Sequence, residues 1–274
     1  MGIEVRPLTP TVGAEICGAD LIDLPDGQLE GIKRAFFEHG VVFFRNQPRL
    51  EVEQQFDFAE RLGPLHIHPA TPRDAKYPGL LRIAVHKDTK VAAGNRWHSD
   101  VSCDQEPPYA TILQLHQIPP SGGDTLFASM YAAYDALSTR MKTLLHGLTA
   151  HHSGEPSYRR LFKFKMENTP PEADHPIVRK HPETGKPALF VNREFTVEIN
   201  DLPPREGKAL LEFLFDHTEQ VAFQCRFQWT ENAIAMWDNR CVQHHAMWDY
   251  WPHERRGHRV TVRGERPLMW DGAI

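Results

Sequence analysis

The stretch Asn95-Arg-Trp-His-Ser-Asp100 places an imidazole and a carboxylate two residues apart. On extended backbone, residues i and i+2 point to the same face, so His98 and Asp100 can reach one metal ion. Two ligands do not hold a catalytic metal, and a third has to come from elsewhere in the chain. Asn239-Arg-Cys-Val-Gln-His244-His245 offers two candidate imidazoles about 146 residues further on. Two histidines and one carboxylate form a facial triad that leaves open positions on iron(II) for a co-substrate and oxygen.

His-x-Asp alone is a weak signal. With 16 His and 16 Asp in 274 residues, random placement gives 16 × 16/274, about one such triplet. The chain has two, because His86-Lys87-Asp88 also fits. That second triplet sits in a run with Lys90 that reads as a solvated loop, so it ranks below the first.

Composition narrows the classes. Hydrophobic residues make up 41 % and charged residues 24 %, an ordinary balance for a globular protein with an ample core. The net charge of −5 gives no overall basic field, so no nucleic-acid partner is expected. Cys17, Cys103, Cys225 and Cys241 are scattered, without a Cys-x-x-Cys pair, which suits a reducing cytoplasm and neither a zinc framework nor a disulfide scaffold. The N-terminus lacks an apolar leader and no run of eighteen apolar residues occurs, so no membrane association is expected. Repeats and low-complexity segments are absent. A single domain over residues 1–274 is expected, and a homo-oligomer is compatible with the sequence.

Short elements alternate along the chain. Asp26 is placed to cap a helix carrying Leu29, Ile32 and Phe36 and ending at Gly40; Val41–Phe44 reads as a buried strand. Val52, Phe56, Ala59 and Leu62 mark a second helix. Leu65-His-Ile-His68-Pro alternates as a half-buried strand would, and its histidines, on pattern alone, are solvated or hydrogen-bonded. Strands are expected over 80–85, 109–118, 223–229, 233–237 and 257–264, with a hairpin over 177–192. Tyr134, Leu137, Met141, Leu144, Leu145 and Leu148 recur at helical spacing and are expected in the core; Pro204 opens a helix with Ala209, Leu210, Phe213, Leu214 and His217 on or near one face. Residues 153–176 show no period and are expected to form a long loop acting as a lid. Many short strands with a few helices predict a mainly β protein, a sandwich or barrel with helical buttresses.

Past His244 lies an arginine cluster: Arg255, Arg256, Arg259, Arg263 and Arg266. Guanidinium groups take carboxylates through paired hydrogen bonds, so an arginine one strand from the metal can anchor the far end of a dicarboxylic oxoacid. The plain reading, a solvated basic edge, is preferred for Arg256, Arg263 and Arg266. Residue chemistry alone leaves a zinc hydrolase open, since zinc also accepts two His and one carboxylate, and it leaves open a non-catalytic binding module.

Trp97-His-Ser-Asp-Val101, Gly122-Gly-Asp-Thr125, Phe190-Val-Asn192, Trp237-Asp-Asn-Arg240, Gln243-His244 and Asp249-Tyr250 stand in the order of the blocks of the taurine dioxygenase group. The chain resembles these iron(II)- and 2-oxoglutarate-dependent oxygenases from about Leu8 to Pro267. The resemblance implies a double-stranded β-helix, or jelly roll, with His98, Asp100 and His244 as iron ligands and His245 one residue beyond the family position. It implies that Arg255 and Thr125 hold 2-oxoglutarate, that Arg259 lies near the oxoacid and holds a substrate anion, and that His68 contacts that anion. Tyr158 and Phe195 fall where aromatic walls are expected. Thr71 stands in place of a tyrosine, and Ala93 in place of an asparagine that helps hold an amine. The implied reaction uses O2 and 2-oxoglutarate to hydroxylate a small organic anion. Taurine or a related alkanesulfonate is the first choice, giving sulfite, an aldehyde, succinate and CO2; an alkyl sulfate ester or an aryloxyalkanoate is the alternative.

Overall fold

The computed structural model describes residues 2–69, 71, 75–161 and 169–272. A seven-stranded sheet runs in the order Glu4–Pro7, Ala14–Cys17, Val41–Phe44, Ile234–Asp238, Ala110–Gln117, Arg255–Val262, Leu80–Val85. A three-stranded sheet of Gln224–Phe227, Thr125–Ser129 and Val242–Ala246 lies across from it. The rings of the two sheets meet between them: Phe43 stacks on Phe227 at 4.0 Å and meets Phe127 edge-on at 5.5 Å. This is the jelly roll expected from the sequence.

The run Val41-Val-Phe-Phe44 shows why the fold closes. Val41 and Phe43 face the core between the sheets, whereas Val42 and Phe44 face a second core under the helices Asp26–His39 and Val52–Glu60. A strand covered on both faces has no polar side to show, hence its unbroken apolar sequence. Two smaller sheets complete the molecule: Thr149–Ser153 with Thr196–Ile199 and Glu172–Pro176, and Val178–Lys180 with Pro187–Leu189 and Leu268–Met269.

Several local expectations are corrected. Asp26 is the first helical residue rather than the cap; Pro25 takes the cap position, and Asp26 instead pairs with Arg61 at 2.7 Å. Leu144 is 52 % exposed, because the expected helix is two short ones, Met130–Asp135 and Thr139–Leu145, broken before Ser138 and re-aimed. Phe213 is 44 % exposed; Leu211 and Phe215 take the buried face of Pro204–Thr218 in its place. Leu65–His68 makes only an isolated bridge, Leu65 to Val262, with Ile67 turned outward. The stretch 153–176 is not one loop: it contains the helix Glu155–Leu161 and the strand Glu172–Pro176, and its segment 162–168 lies outside the described residues.

Gly257 is placed by close packing. A Cβ there would stand 2.2 Å from the Gln114 carbonyl oxygen on the neighbouring strand, where the register shifts between Arg256 and Gly257. Gly257→Ala is therefore expected to lower stability by about 2 kcal/mol or more, since backbone cannot yield as a side chain does. Gly27→Ala, with nothing within 4 Å of its Cβ, is the control and should be neutral or stabilising by up to about 1 kcal/mol. Urea unfolding of the two variants checks both.

Candidate active site

His98 and His244 meet as partners in an isolated antiparallel bridge. Each backbone N–H donates to the other's carbonyl, at 3.1 Å from His98 and 2.9 Å from His244. Their rings consequently lie side by side, centroids 4.1 Å apart. Asp100 follows at a turn rather than on a continuing strand. Val101, just after it, holds φ +48°, a conformation costly for a β-branched residue and of the kind found at functional sites.

Asp100 Oδ1 lies 3.6 Å from His98 Nε2 and 4.0 Å from His244 Nε2, and the three donor atoms all fall within 4.8 Å of one another. His98 Nδ1 sits 2.8 Å from the Arg96 carbonyl, which can only accept, so in the neutral ring Nε2 keeps the lone pair facing the cluster. Burial, helped by the neighbouring His98, holds His244 well below the usual histidine range and hence neutral. Burial alone would raise the Asp100 carboxyl; Arg259, His244 and His98 overcome it and hold Asp100 well below the carboxylate range. Two imidazoles and an ionised carboxylate form a donor set that fits iron(II). His245 points away from the cluster, its Nε2 3.1 Å from Asn95 Oδ1.

The other oxygen of Asp100 is fixed by a relay that the sequence reading did not identify. Thr111 Oγ1 donates to Asp100 Oδ2 at 2.7 Å and accepts from Asn239 Nδ2 at 2.8 Å. Asn239 Oδ1 accepts from the Asp100 backbone N–H at 3.1 Å and from Trp237 Nε1 at 3.0 Å. The Trp237–Arg240 block signalled this in the sequence, but nothing marked Thr111, opposite Trp237 on the adjacent strand Ala110–Gln117.

The arginines divide as their surroundings dictate. Arg256 and Arg263 make surface pairs with Glu254 at 3.0 Å and Glu106 at 2.6 Å. Arg259 Nη1 donates to Asp100 Oδ1 at 2.7 Å. Arg255, only 4 % exposed, donates to Thr125 Oγ1 at 3.4 Å and has its Nε unpartnered; among the described residues no carboxylate lies within ion-pair distance. Trp229 Nε1 donates to the same hydroxyl at 3.0 Å, and its ring lies 5.7 Å from the guanidinium. Thr125 is set by the Gly-Gly turn: Gly122 and Gly123 hold φ +76° and +71°, and Gly123 N–H donates to Asp249 Oδ1 at 2.8 Å. That contact joins the Gly-Asp-Thr and Asp-Tyr blocks in space.

One cavity of about 250 Å³ is lined by His68, His98, Asp100, Thr125, Tyr158, Phe195, His244, Arg255 and Arg259, the residues expected to hold metal, oxoacid and substrate, whereas Thr71 does not line it. Tyr158 and Phe195 meet edge-on at 6.1 Å, and Phe195 lies 6.4 Å from the His98 ring. His68, tilted against Tyr158 at 5.6 Å, is pushed down to about 3 by burial and by the charge of Arg259, so it is neutral at pH 7. His86 and Asp88, the second His-x-Asp pair, are exposed at the surface. A second buried cluster, His181, Asp238 and Cys241, is already satisfied: Arg240 donates twice to Asp238 at 2.8 and 2.7 Å, and His181 lies 3.0 Å from it.

Known proteins resemble this chain over nearly its whole length. Residues 4–261 match the family described as taurine catabolism dioxygenase TauD, TfdA family. An alpha-ketoglutarate-dependent sulfate ester dioxygenase of Pseudomonas putida is 34 % identical, over 99 % of this chain and 93 % of its own. An alpha-ketoglutarate-dependent sulfonate dioxygenase of Saccharomyces cerevisiae is 33 % identical, over 97 % of this chain and 68 % of its own. The crystal structure of a taurine dioxygenase from Burkholderia xenovorans superposes with a TM-score of 0.85 at 33 % identity, covering 99 % of this chain and 94 % of that one. A cavity with a two-histidine, one-carboxylate cluster at its base, on a jelly roll matched over nearly its whole length, makes this chain a member of the TauD/TfdA family of 2-oxoglutarate-dependent dioxygenases.

Proposed function

We propose that the chain, acting as one domain, uses 2-oxoglutarate and O2 to hydroxylate a small organic anion, with taurine or a related alkanesulfonate as the first choice. The observation that carries this reading is Arg255. A guanidinium buried against a hydroxyl and an indole is costly unless an anion joins it, and the cavity beside Arg255 leads to the His98, Asp100 and His244 cluster. A dicarboxylic oxoacid spans that arrangement, one end on the arginine and the other on a metal.

His98, Asp100 and His244 would hold iron(II), which with 2-oxoglutarate and O2 supplies the oxidising power for carbon hydroxylation, succinate and CO2 being released. The chain's own residues bind, orient and exclude water. Arg255 and Thr125 hold the distal carboxylate of 2-oxoglutarate. Arg259 holds the substrate anion and lies near the oxoacid; His68, neutral, donates a hydrogen bond to that anion. Tyr158 and Phe195 wall the substrate's carbon end and keep water from it. No side chain is assigned as a general acid or base. A sulfonate hydroxylated beside its sulfur collapses to sulfite and an aldehyde. An alkyl sulfate ester or an aryloxyalkanoate meets the same anion contacts and is the second reading, since Ala93 offers nothing to an amine. The helix Glu155–Leu161, which carries Tyr158, is the part of the expected lid that borders the cavity. Four free cysteines, and no described helix long and apolar enough to cross a membrane, support a cytoplasmic location.

Screening taurine, longer alkanesulfonates, alkyl sulfates and phenoxyacetates for coupled succinate release tests the reading; no stimulated succinate with any of them refutes it. Arg255→Ala is expected to raise KM for 2-oxoglutarate by about 30-fold or more, the roughly 2–5 kcal/mol that follows loss of one partner of a buried charge pair. The anion's KM should change far less; an equal rise in both would remove the assignment. His244→Ala should abolish the visible band formed by iron(II) with 2-oxoglutarate under anaerobic conditions, while His245→Ala keeps it. The reverse pattern would exchange the two roles.

A further inference from the structure

Glu194 is a buried carboxylate at the edge of the cavity, its side chain 6 % exposed. It sits between the two aromatic walls. Phe195 is its chain neighbour, and Tyr158 stands on the helix Glu155–Leu161, which is fastened to Glu194. Ser157 Oγ lies 2.5 Å from Glu194 Oε1 and 2.9 Å from its carbonyl oxygen, and Arg160 donates to the same Oε1. Oε2 faces Arg96 Nη1 at 3.7 Å without a hydrogen bond. The carbonyl of that same Arg96 accepts from His98. One carboxylate thus touches the helix bearing one wall, the turn bearing the other, and the segment leading to the first imidazole.

A helix of seven residues does not hold itself together in water. Its register against the cavity has to come from the contacts it makes with the body of the protein. Among the described residues those contacts include the Tyr158 ring, the Glu155 N–H on Ser153 Oγ, and Ser157 and Arg160, the last two of which both end on Glu194. A carboxylate between two guanidinium groups is also a much stronger acceptor than a neutral amide, so the fastening is charge-assisted. Loss of it frees Tyr158 to move relative to Phe195, which changes the space for the substrate's carbon end. The Arg255 end, built on strands, is untouched.

We propose that Glu194 is a positioning residue that sets substrate affinity by fixing Tyr158 against Phe195, an inference that rests on the substrate end assigned above. The test compares wild type, Glu194→Gln and Glu194→Ala, each loaded with iron(II). Calorimetry measures binding of N-oxalylglycine and then of 1-butanesulfonate, and hydrogen exchange is followed over 155–161. For Glu194→Ala the expected result is about tenfold weaker butanesulfonate binding and exchange at least tenfold faster over 155–161. N-oxalylglycine binding should stay within twofold and exchange over 242–246 should be unchanged. Glu194→Gln, which keeps the acceptor but not the charge, should fall between. Equal weakening of both ligands, unchanged exchange over 155–161, or faster exchange with butanesulfonate binding intact would each overturn the proposal. If wild type binds N-oxalylglycine but no butanesulfonate, the substrate reading fails instead, and the exchange result alone decides whether Glu194 fastens the helix.

Discussion

Two backbone hydrogen bonds, exchanged between His98 and His244, are the constraint on which the site depends. They bring together imidazoles that are 146 residues apart in sequence, and loop-closure entropy does not forbid this, since it grows only by about 0.6 kcal/mol per doubling of length. An isolated bridge does not hold itself, so both sides are anchored elsewhere. His244 lies opposite Phe127 in the Thr125–Ser129 ladder, with the Trp237 ring 4.6 Å away. On the other side, Ser99 Oγ donates to the Val242 carbonyl at 3.3 Å, and Asp100 is tied to Asn239 and Thr111. The imidazoles meet because a ladder on one side and a side-chain relay on the other place the same two residues.

Charge explains the rest of the cavity. Its buried ionic groups are Arg255, Arg259, Asp100 and Glu194, the last already met by Arg160. That leaves two guanidinium groups against one carboxylate, and a divalent metal ion would widen the imbalance to three positive charges. A dianionic oxoacid and the sulfonate, sulfate or carboxylate group of a substrate restore neutrality at this end, whereas a substrate with no anionic group does not. Low-dielectric surroundings make such an imbalance expensive, so the count favours an anion at the site of Arg259 and His68. His68 strengthens the argument by staying neutral: it offers a donor without adding a fourth positive charge.

What the sequence made legible follows the physical origin of each feature. Residues whose chemistry is rare in a core, such as His98, Asp100, Arg255 and Arg259, stood out, and the ordered blocks around them placed Thr125, His68, Tyr158 and Phe195 in the same cavity. Strands buried on both faces, such as Val41–Phe44, announced themselves by composition. Helix faces were read less well. Phe213 and Leu144 fit a helical period, yet which stripe of a helix is covered depends on what packs on it, and Thr139–Leu145 begins a new helix after a break at Ala136–Ser138. Thr111 and Glu194 were not legible because their roles are relational: each is an ordinary residue until partners from distant segments arrive. The helix inside 153–176 escaped for a related reason, since Tyr158 and its attachments to Glu194, rather than an apolar period, hold it in place.

The two ends of the cavity are built from materials of different stiffness. Thr111, Thr125, Trp237, His244, Arg255 and Arg259 all stand on strands paired within one or the other of the two facing sheets. The walls proposed for the substrate's carbon end stand on a seven-residue helix, the 192–195 turn and the segment around His68, where the ladder is a single bridge. Side chains on short elements can be exchanged or shifted without breaking a ladder, whereas a change at Thr111 or Gly257 disturbs neighbouring strands at once. A fold divided in this way keeps its oxidising chemistry fixed and leaves the fit of the organic anion free to vary. If Tyr158 and Phe195 wall the substrate as proposed, substrate preference is set by what fastens them, more than by the metal ligands they enclose.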